Sequence, residues 1–191
     1  MEKKIVYRIA TIADYDREAL YLRKMHAKGW KLRKVSYSIL LFAVKYTFEK
    51  CQPKQMSYQL DFYPMEKSER VSYLQLFKDC GWKHITDFNG FSYFRKPYSQ
   101  IESDAEFEIY NDAAGKLAMV KRILTRRMLP ILLLFLALLP VFSKFVAGGS
   151  SFSWEMFLIV IIDGVLLIVH AIQISYIFWS LFQKWKELSD K

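Results

Sequence analysis

The sequence carries none of the short motifs that announce catalysis. It has no G-x-G-x-x-G or P-loop to cradle phosphates, no H-E-x-x-H to hold zinc, and no nucleophile elbow. Cysteine is scarce: only Cys51 and Cys80 occur, with no C-x-x-C and no histidine pair nearby. Two such cysteines do not make a disulfide framework, and they read as a reduced thiol and a core-facing helix residue. His26 and His84 do not sit at equivalent places of the repeat described below, so they form no duplicated ligand pair. His84 reads as a solvent-edge residue. The acidic run Glu102, Asp104, Glu106, Glu108 and Asp112 lacks EF-hand spacing and reads as a solvated linker. No catalytic residue, metal ligand or cofactor site is therefore expected. Residues Met1 to Arg8 contain no apolar h-region, so no cleavable signal peptide is expected.

Charge and apolar residues, by contrast, are abundant and unevenly spread. Of 191 residues, 53% are hydrophobic and 17% aromatic. Residues 1–127 hold 24 Lys and Arg against 15 Asp and Glu, whereas residues 128–191 hold 4 of each. All of the net charge of +9 thus belongs to the first two thirds, and most long apolar runs to the last third. This division predicts a basic soluble module followed by a membrane module.

The soluble part contains a repeat. Tyr21 to Lys31 and Tyr73 to Lys83 align without a gap at an offset of 52. Each copy reads as a helix end. Gly29 and Gly81 fall where a helix C-terminus needs a left-handed residue. Trp30 and Trp82 come next and are expected to pack back on Met25 and Phe77, the third-last helical positions. Gly29, Trp30, Gly81 and Trp82 are therefore structural repeat anchors, evidence of duplication rather than a binding feature.

Around them, residues 3–10 alternate as a short strand. Asp16 and Ser68 serve as N-caps of two helices, which bury Ala19, Leu22, Met25 and Val71, Leu74, Phe77. Leu40 to Lys50 alternates, Gln52-Pro53-Lys54 turns, and Tyr58, Leu60 and Phe62 mark a return strand. Asn89-Gly90 is a tight-turn pair before a last strand from Phe91 to Lys96. The order strand, helix, strand, strand, helix, strand predicts an α+β fold. Its duplicated βαβ halves form a ferredoxin-like βαββαβ sandwich, with both helices on one face of a four-stranded sheet. A more open sheet of two βαβ-like halves is the alternative.

The expected domains are residues 1–98, the cytoplasmic α+β domain; 99–127, an acidic linker and basic juxtamembrane helix with Lys121, Arg122, Arg126 and Arg127; 128–182, a two-span transmembrane hairpin; and 183–191, a cytoplasmic tail. Leu129 to Ala147 gives 19 apolar-rich residues, roughly 28 Å of helix and close to the hydrocarbon thickness. Pro140 should kink this span. Met156 to Trp179 gives 24, enough to span with tilt. The loop between has no Lys or Arg, while Lys184, Lys186 and Lys191 follow the second span. The positive-inside rule then puts both termini in the cytoplasm and the chain in the cell membrane. Asp163 and His170 are seven apart on one helical face, and Gln173 follows. With Lys144 in the first span they are the intramembrane polar candidates, either functional or joining helices by hydrogen bonds.

Three stretches, Met56 to Pro64, Tyr73 to Ile85 and Tyr93 to Lys96, together with Glu108 to Asp112 and Lys116, carry a resemblance. The chain resembles the bacterial family called domain of unknown function 2812, over about residues 4–124. Gly115 stands where the family usually has Ser before the Lys, so no role for that hydroxyl is carried over. The resemblance implies a cytoplasmic domain followed by membrane spans, and genes that lie beside PadR-type transcriptional regulators, mostly in Gram-positive bacteria. It implies no catalytic residues.

These observations lead to a non-enzymatic, membrane-anchored sensor or regulatory adaptor. Its cytoplasmic domain would bind a protein partner, a PadR-type regulator or a second copy of itself, and its basic charge would face anionic lipid headgroups. A membrane-stress or resistance component acting through the hairpin is a second reading. Nucleic-acid binding is a third and weaker one, resting on the aromatic stretch Leu41 to Phe48.

Overall fold

The computed structural model describes residues 2–38, 43–63, 67–101, 109–110, 113–137 and 154–189. The chain divides into two compact units, Met1–Met119 and Val120–Lys191.

The first unit is α+β, and its duplication is deeper than the sequence repeat suggests. The order is β1 (Lys3–Arg8), α1 (Tyr15–Ala27), β2 (Trp30–Ser38), β3 (Ala43–Lys50), β4 (Met56–Phe62), α2 (Lys67–Asp79), β5 (Lys83–Phe88) and β6 (Phe91–Pro97). The unit is therefore βαββ twice, and α2 lies 52 residues after α1 at both ends. Each copy forms its own three-stranded antiparallel sheet, ordered β1-β3-β2 and β4-β6-β5. This corrects the single four-stranded ferredoxin-like sheet. The strand β4 opens the second copy instead of closing a hairpin with β3.

The correction has a physical cause in β2 and β5. Each bears a register shift, at Arg33 between Leu32 and Lys34 and at Ile85 between His84 and Thr86, the same place in the repeat. A bulge puts two residues against one and breaks the period of two. Leu32 and Val35, both buried, end up three apart and do not read as alternation.

The two sheets meet where β2 lies against β5, with Tyr37 and Phe88 rings 4.5 Å apart. Helix α1 packs on β2 of its own sheet and on β4 of the other. It buries Ala19, Leu22 and Met25 as expected, and Leu22, Leu32, Phe48, Tyr58, Tyr93 and Phe94 are almost fully enclosed. The strand β4 is covered on both faces, and only Gln59 within it is partly open. Helix α2 packs on β5 and is far more open. Val71, expected inside, is 76% exposed, and Leu74 and Phe77 are half-buried. Cys80, expected to face the core, is exposed just past the end of α2, and Cys51 is half-buried.

Both helix ends carry the expected left-handed glycine. Gly29 has φ +84° and Gly81 φ +81°. Gly81 N donates to Lys78 O and Trp82 N to Phe77 O, both at 2.9 Å, which satisfies two orphan carbonyls of α2. In the first copy Gly29 N donates to His26 O at 2.9 Å. The helix starts lie earlier than expected. Helix α1 begins at Tyr15 with Asp14 as its N-cap, and a short 3-10 turn, Ile12–Asp14, precedes it. Helix α2 begins at Lys67, so Ser68 lies inside it. The turn Asn89-Gly90 has positive φ at both residues and closes the β5–β6 hairpin.

At the junction of the units, α3 (Ala113–Ile123) continues into a π-helical turn, Leu124–Met128, and remains helical through residue 137. A long helix, α4 (Trp154–Ser189), follows in the second unit and packs on the π-turn. Among the described residues no helix is long and apolar enough to cross a membrane. The expected first span passes beyond the described residues after residue 137, taking Pro140 and Lys144 with it.

Candidate functional site

A concave feature of the first unit rich in charged groups is an open cleft of about 850 Å³. The end of α1, the connector Cys51 to Met56, the start of β5 and the end of β6 enclose it. Its charged lining is Lys31, Lys54, Lys83 and Arg95, with no carboxylate among the lining residues.

The repeat builds this cleft. Lys31 and Lys83 are the residues after Trp30 and Trp82, so each Gly-Trp turn delivers one lysine to the same place. Gly29 and Gly81 make those turns possible by adopting positive φ. A Cβ on Gly29 would stand 3.0 Å from the Cys51 carbonyl oxygen, so the turn is pressed against the cleft's connector. The lysine beside each Gly-Trp pair belongs to a site that sequence reasoning passed over. The signal was present in the alignment of the two copies, which runs as far as Lys31 and Lys83.

Register makes the two lysines unequal. Lys31 faces Glu49 across the β2–β3 ladder and bridges it at 3.5 Å. Glu49 also accepts from Arg33 Nε at 3.0 Å. At the matching place in the second copy, Lys83 faces Arg95. Like charges directly opposite destabilise a ladder. Among the described residues, Arg95 Nη1 is buried without a hydrogen-bond partner.

His26 lies under the cleft, 5% exposed, with Nδ1 2.7 Å from the Tyr58 hydroxyl. Burial, reinforced by the charges of Arg95, Lys31 and Lys54, pushes its pKa down to about 4. The imidazole is thus neutral at physiological pH and registers the positive field of the cleft. His84 is partly exposed, in keeping with a solvent-edge residue; it sits edge-on to Phe94 and lies 3.1 Å from Asp87.

Two carboxylates held by tyrosines lie elsewhere in the unit, Glu18 half-buried and Asp61 buried. Glu18 on α1 accepts from Tyr46 Oη at 2.8 Å and Tyr93 Oη at 2.7 Å. Burial raises its pKa above the ordinary carboxylate value, even though both tyrosines and Arg8 oppose that. Tyr46 and Tyr93 are themselves pushed far up, first by burial and then by the Glu18 charge. Asp61, fully buried on β4, accepts from Tyr73 Oη at 2.7 Å and Tyr110 Oη at 2.8 Å. Both clusters tie distant elements together: Glu18 joins α1 to β3 and β6, and Asp61 joins β4 to α2 and residue 110.

Among the described residues of the aromatic stretch, Ala43 to Phe48, no ring is open. Tyr46 and Phe48 are 1% and 0% exposed and lie beneath the edge of Tyr21. Tyr21 against Phe48 is repeated in the second copy as Tyr73 against Phe94, at 6.1 and 6.0 Å.

Of the polar candidates in the second unit, Lys144 lies outside the described residues, as does the side chain of Asp163. His170 and Gln173 are exposed on α4. Lys121 and Arg122 occupy the last turn of α3, and Arg126 and Arg127 the π-turn. Among the described residues no group of three His, Cys, Asp or Glu is placed to hold a metal ion.

No curated protein and no solved structure matches the chain. The model of one family, described as protein of unknown function (DUF2812), matches residues 14–134. That span is well over half of the chain and includes the cleft and both tyrosine–carboxylate clusters. The chain belongs to the DUF2812 family.

Proposed function

We propose that this protein is a membrane-anchored, non-enzymatic regulatory adaptor. Its first unit is the binding module, its second the anchor. The bound state passes to a protein partner, and the family resemblance points to a PadR-type transcriptional regulator for that role.

The observation that carries the reading is the surface of α4. Ile161, Ile168, Ile172, Trp179 and Phe182 are each between 46% and 63% exposed. So many large apolar groups on one long helix call for a non-aqueous neighbour. The cations of the preceding π-turn, Arg126 and Arg127, suit a cytoplasmic flank beside anionic lipid. The two-span hairpin with both termini in the cytoplasm belongs to this proposal. In the first unit, the ionisable groups Glu18, Asp61 and His26 are all held by tyrosine hydroxyls. That is the behaviour of a rigid frame around a binding cleft.

The test is fractionation of the full chain after alkaline carbonate extraction, with phosphatase and fluorescent reporters at both termini. Retention in the membrane with both reporters cytoplasmic is expected. Release into the soluble fraction, or a reporter outside, would overturn the anchor. For the adaptor role, the regulator should co-purify with the detergent-solubilised chain. Its absence, together with unchanged expression of its target genes on deletion, would overturn that part.

A further inference from the structure

We infer that the cleft of the first unit binds a small phosphorylated molecule, its phosphate seated among Lys83, Arg95 and Lys31. The inference extends the binding role proposed for this unit and does not depend on the membrane anchor.

Three observations converge on it. The first is the change of charge within the repeat. One copy pairs Lys31 with Glu49, and the other sets Lys83 against Arg95 at the same ladder position. Such a like-charge pair is costly and is neutralised by an anion. The second is a buried donor on a lining residue: Arg95 Nη1 is buried with no partner among the described residues, while the guanidinium also interacts with the Tyr58 hydroxyl. A buried donor of this kind is ready for an acceptor. The third is the lining. Lys54 adds a fourth cation and no carboxylate lines the space, the nearby Glu49 being engaged by Lys31 and Arg33.

The chemistry selects phosphate. A dianion with several acceptor oxygens can meet cations arriving from three strands, and the arginine fork suits it. A volume of about 850 Å³ also exceeds what a bare ion needs and lies in the range of small-molecule sites. Met56, Pro97 and Tyr98 supply a less polar wall for the rest of such a molecule. A free metabolite and a lipid headgroup both present this group, and the experiment separates them.

The full chain is titrated with inorganic pyrophosphate in phosphatidylcholine nanodiscs or, where it does not insert, in buffer with the nanodiscs present, following the His26 imidazole by NMR. Saturable binding is expected, with the His26 pKa rising as the anion offsets the field of Arg95, Lys31 and Lys54. Lys83→Gln, at an exposed position, should weaken binding by roughly tenfold. Lys3→Gln with Lys34→Gln, two exposed cations outside the cleft, should not. In nanodiscs containing phosphatidylglycerol, a His26 shift without pyrophosphate that Lys83→Gln reverses identifies the headgroup as the source. A shift that still requires pyrophosphate identifies a free molecule. No saturable response in either nanodisc, or an equal response in Lys83→Gln and the parent, overturns the proposal. Carbonate extraction of the same variants reads the anchor separately, so the two readings fail independently.

Discussion

Lys83 stands directly across from Arg95 in the second sheet, where the first sheet pairs Lys31 with Glu49. The duplication thus preserved a position and inverted its electrostatics. Lys83→Glu restores the arrangement of the first copy. It should stabilise the protein by roughly 0.5–1 kcal/mol in phosphate-free buffer. The urea midpoint at low and high salt checks this. The gain should shrink as salt rises, because Lys83 is exposed. No gain at low salt would mean that the ladder repulsion is already relieved by solvent.

Gly29 and Gly81 have nearly the same φ but different neighbours. An added Cβ at Gly29 meets the Cys51 carbonyl oxygen at 3.0 Å, whereas at Gly81 it meets the flexible Lys96 chain at 3.2 Å. Left-handed backbone costs an alanine about 1 kcal/mol in either place. Gly81→Ala should therefore lose about 1 kcal/mol, and Gly29→Ala about 2–3 kcal/mol. Equal losses in a chemical denaturation series would show that the connector yields.

His26 and Glu18 should tilt the pH dependence of stability in opposite senses. The folded pKa of His26 is depressed from 6.5 to about 4. Its contribution is present above pH 6.5 and is lost as pH falls toward 4, by roughly 2–3 kcal/mol. Glu18 is raised by burial above its ordinary value of 4.5. Its contribution is full below pH 4.5 and is lost as pH rises through the raised pKa. His26→Asn should flatten the fall in stability on acidification, and Glu18→Gln should steepen it. Urea midpoints across pH 4–7 measure both, and a common direction would contradict the assignment.

Asp61 serves two hydroxyls, one on each carboxylate oxygen. Removing one donor leaves the other, so Tyr110→Phe should cost about 1–2 kcal/mol. Asp61→Ala removes the shared acceptor of both hydroxyls and opens a void, so it should cost about 3 kcal/mol or more. A double-mutant cycle on Tyr73 and Tyr110 should show coupling through the shared carboxylate.

What the sequence made legible was the local chemistry of chain reversal. Gly29, Gly81 and Asn89-Gly90 announce themselves because few residues tolerate positive φ, and each lies where expected. Leu22 and Met25 were legible because α1 is buried along one stripe. The strands after each Gly-Trp were not, because a bulged strand carries no period of two. Val71 misled because its spacing copies that of Ala19, while α2 stands far more open than α1. The cleft was hidden for a different reason. Lys31 and Lys83 are ordinary surface lysines in sequence, and only the ladder register reveals that one has a carboxylate across from it and the other a guanidinium.

The single carboxylate of Glu18 accepts from Tyr46 in the first copy and Tyr93 in the second, and the residue 52 positions on is Arg70. The copies are therefore no longer interchangeable: each supplies part of the other's interior, and a lone half would expose an orphaned acid or orphaned hydroxyls. Severed in the connector between β3 and β4, the first unit should behave as a complementing fragment pair, each piece unstructured by itself and the two regaining structure only when mixed.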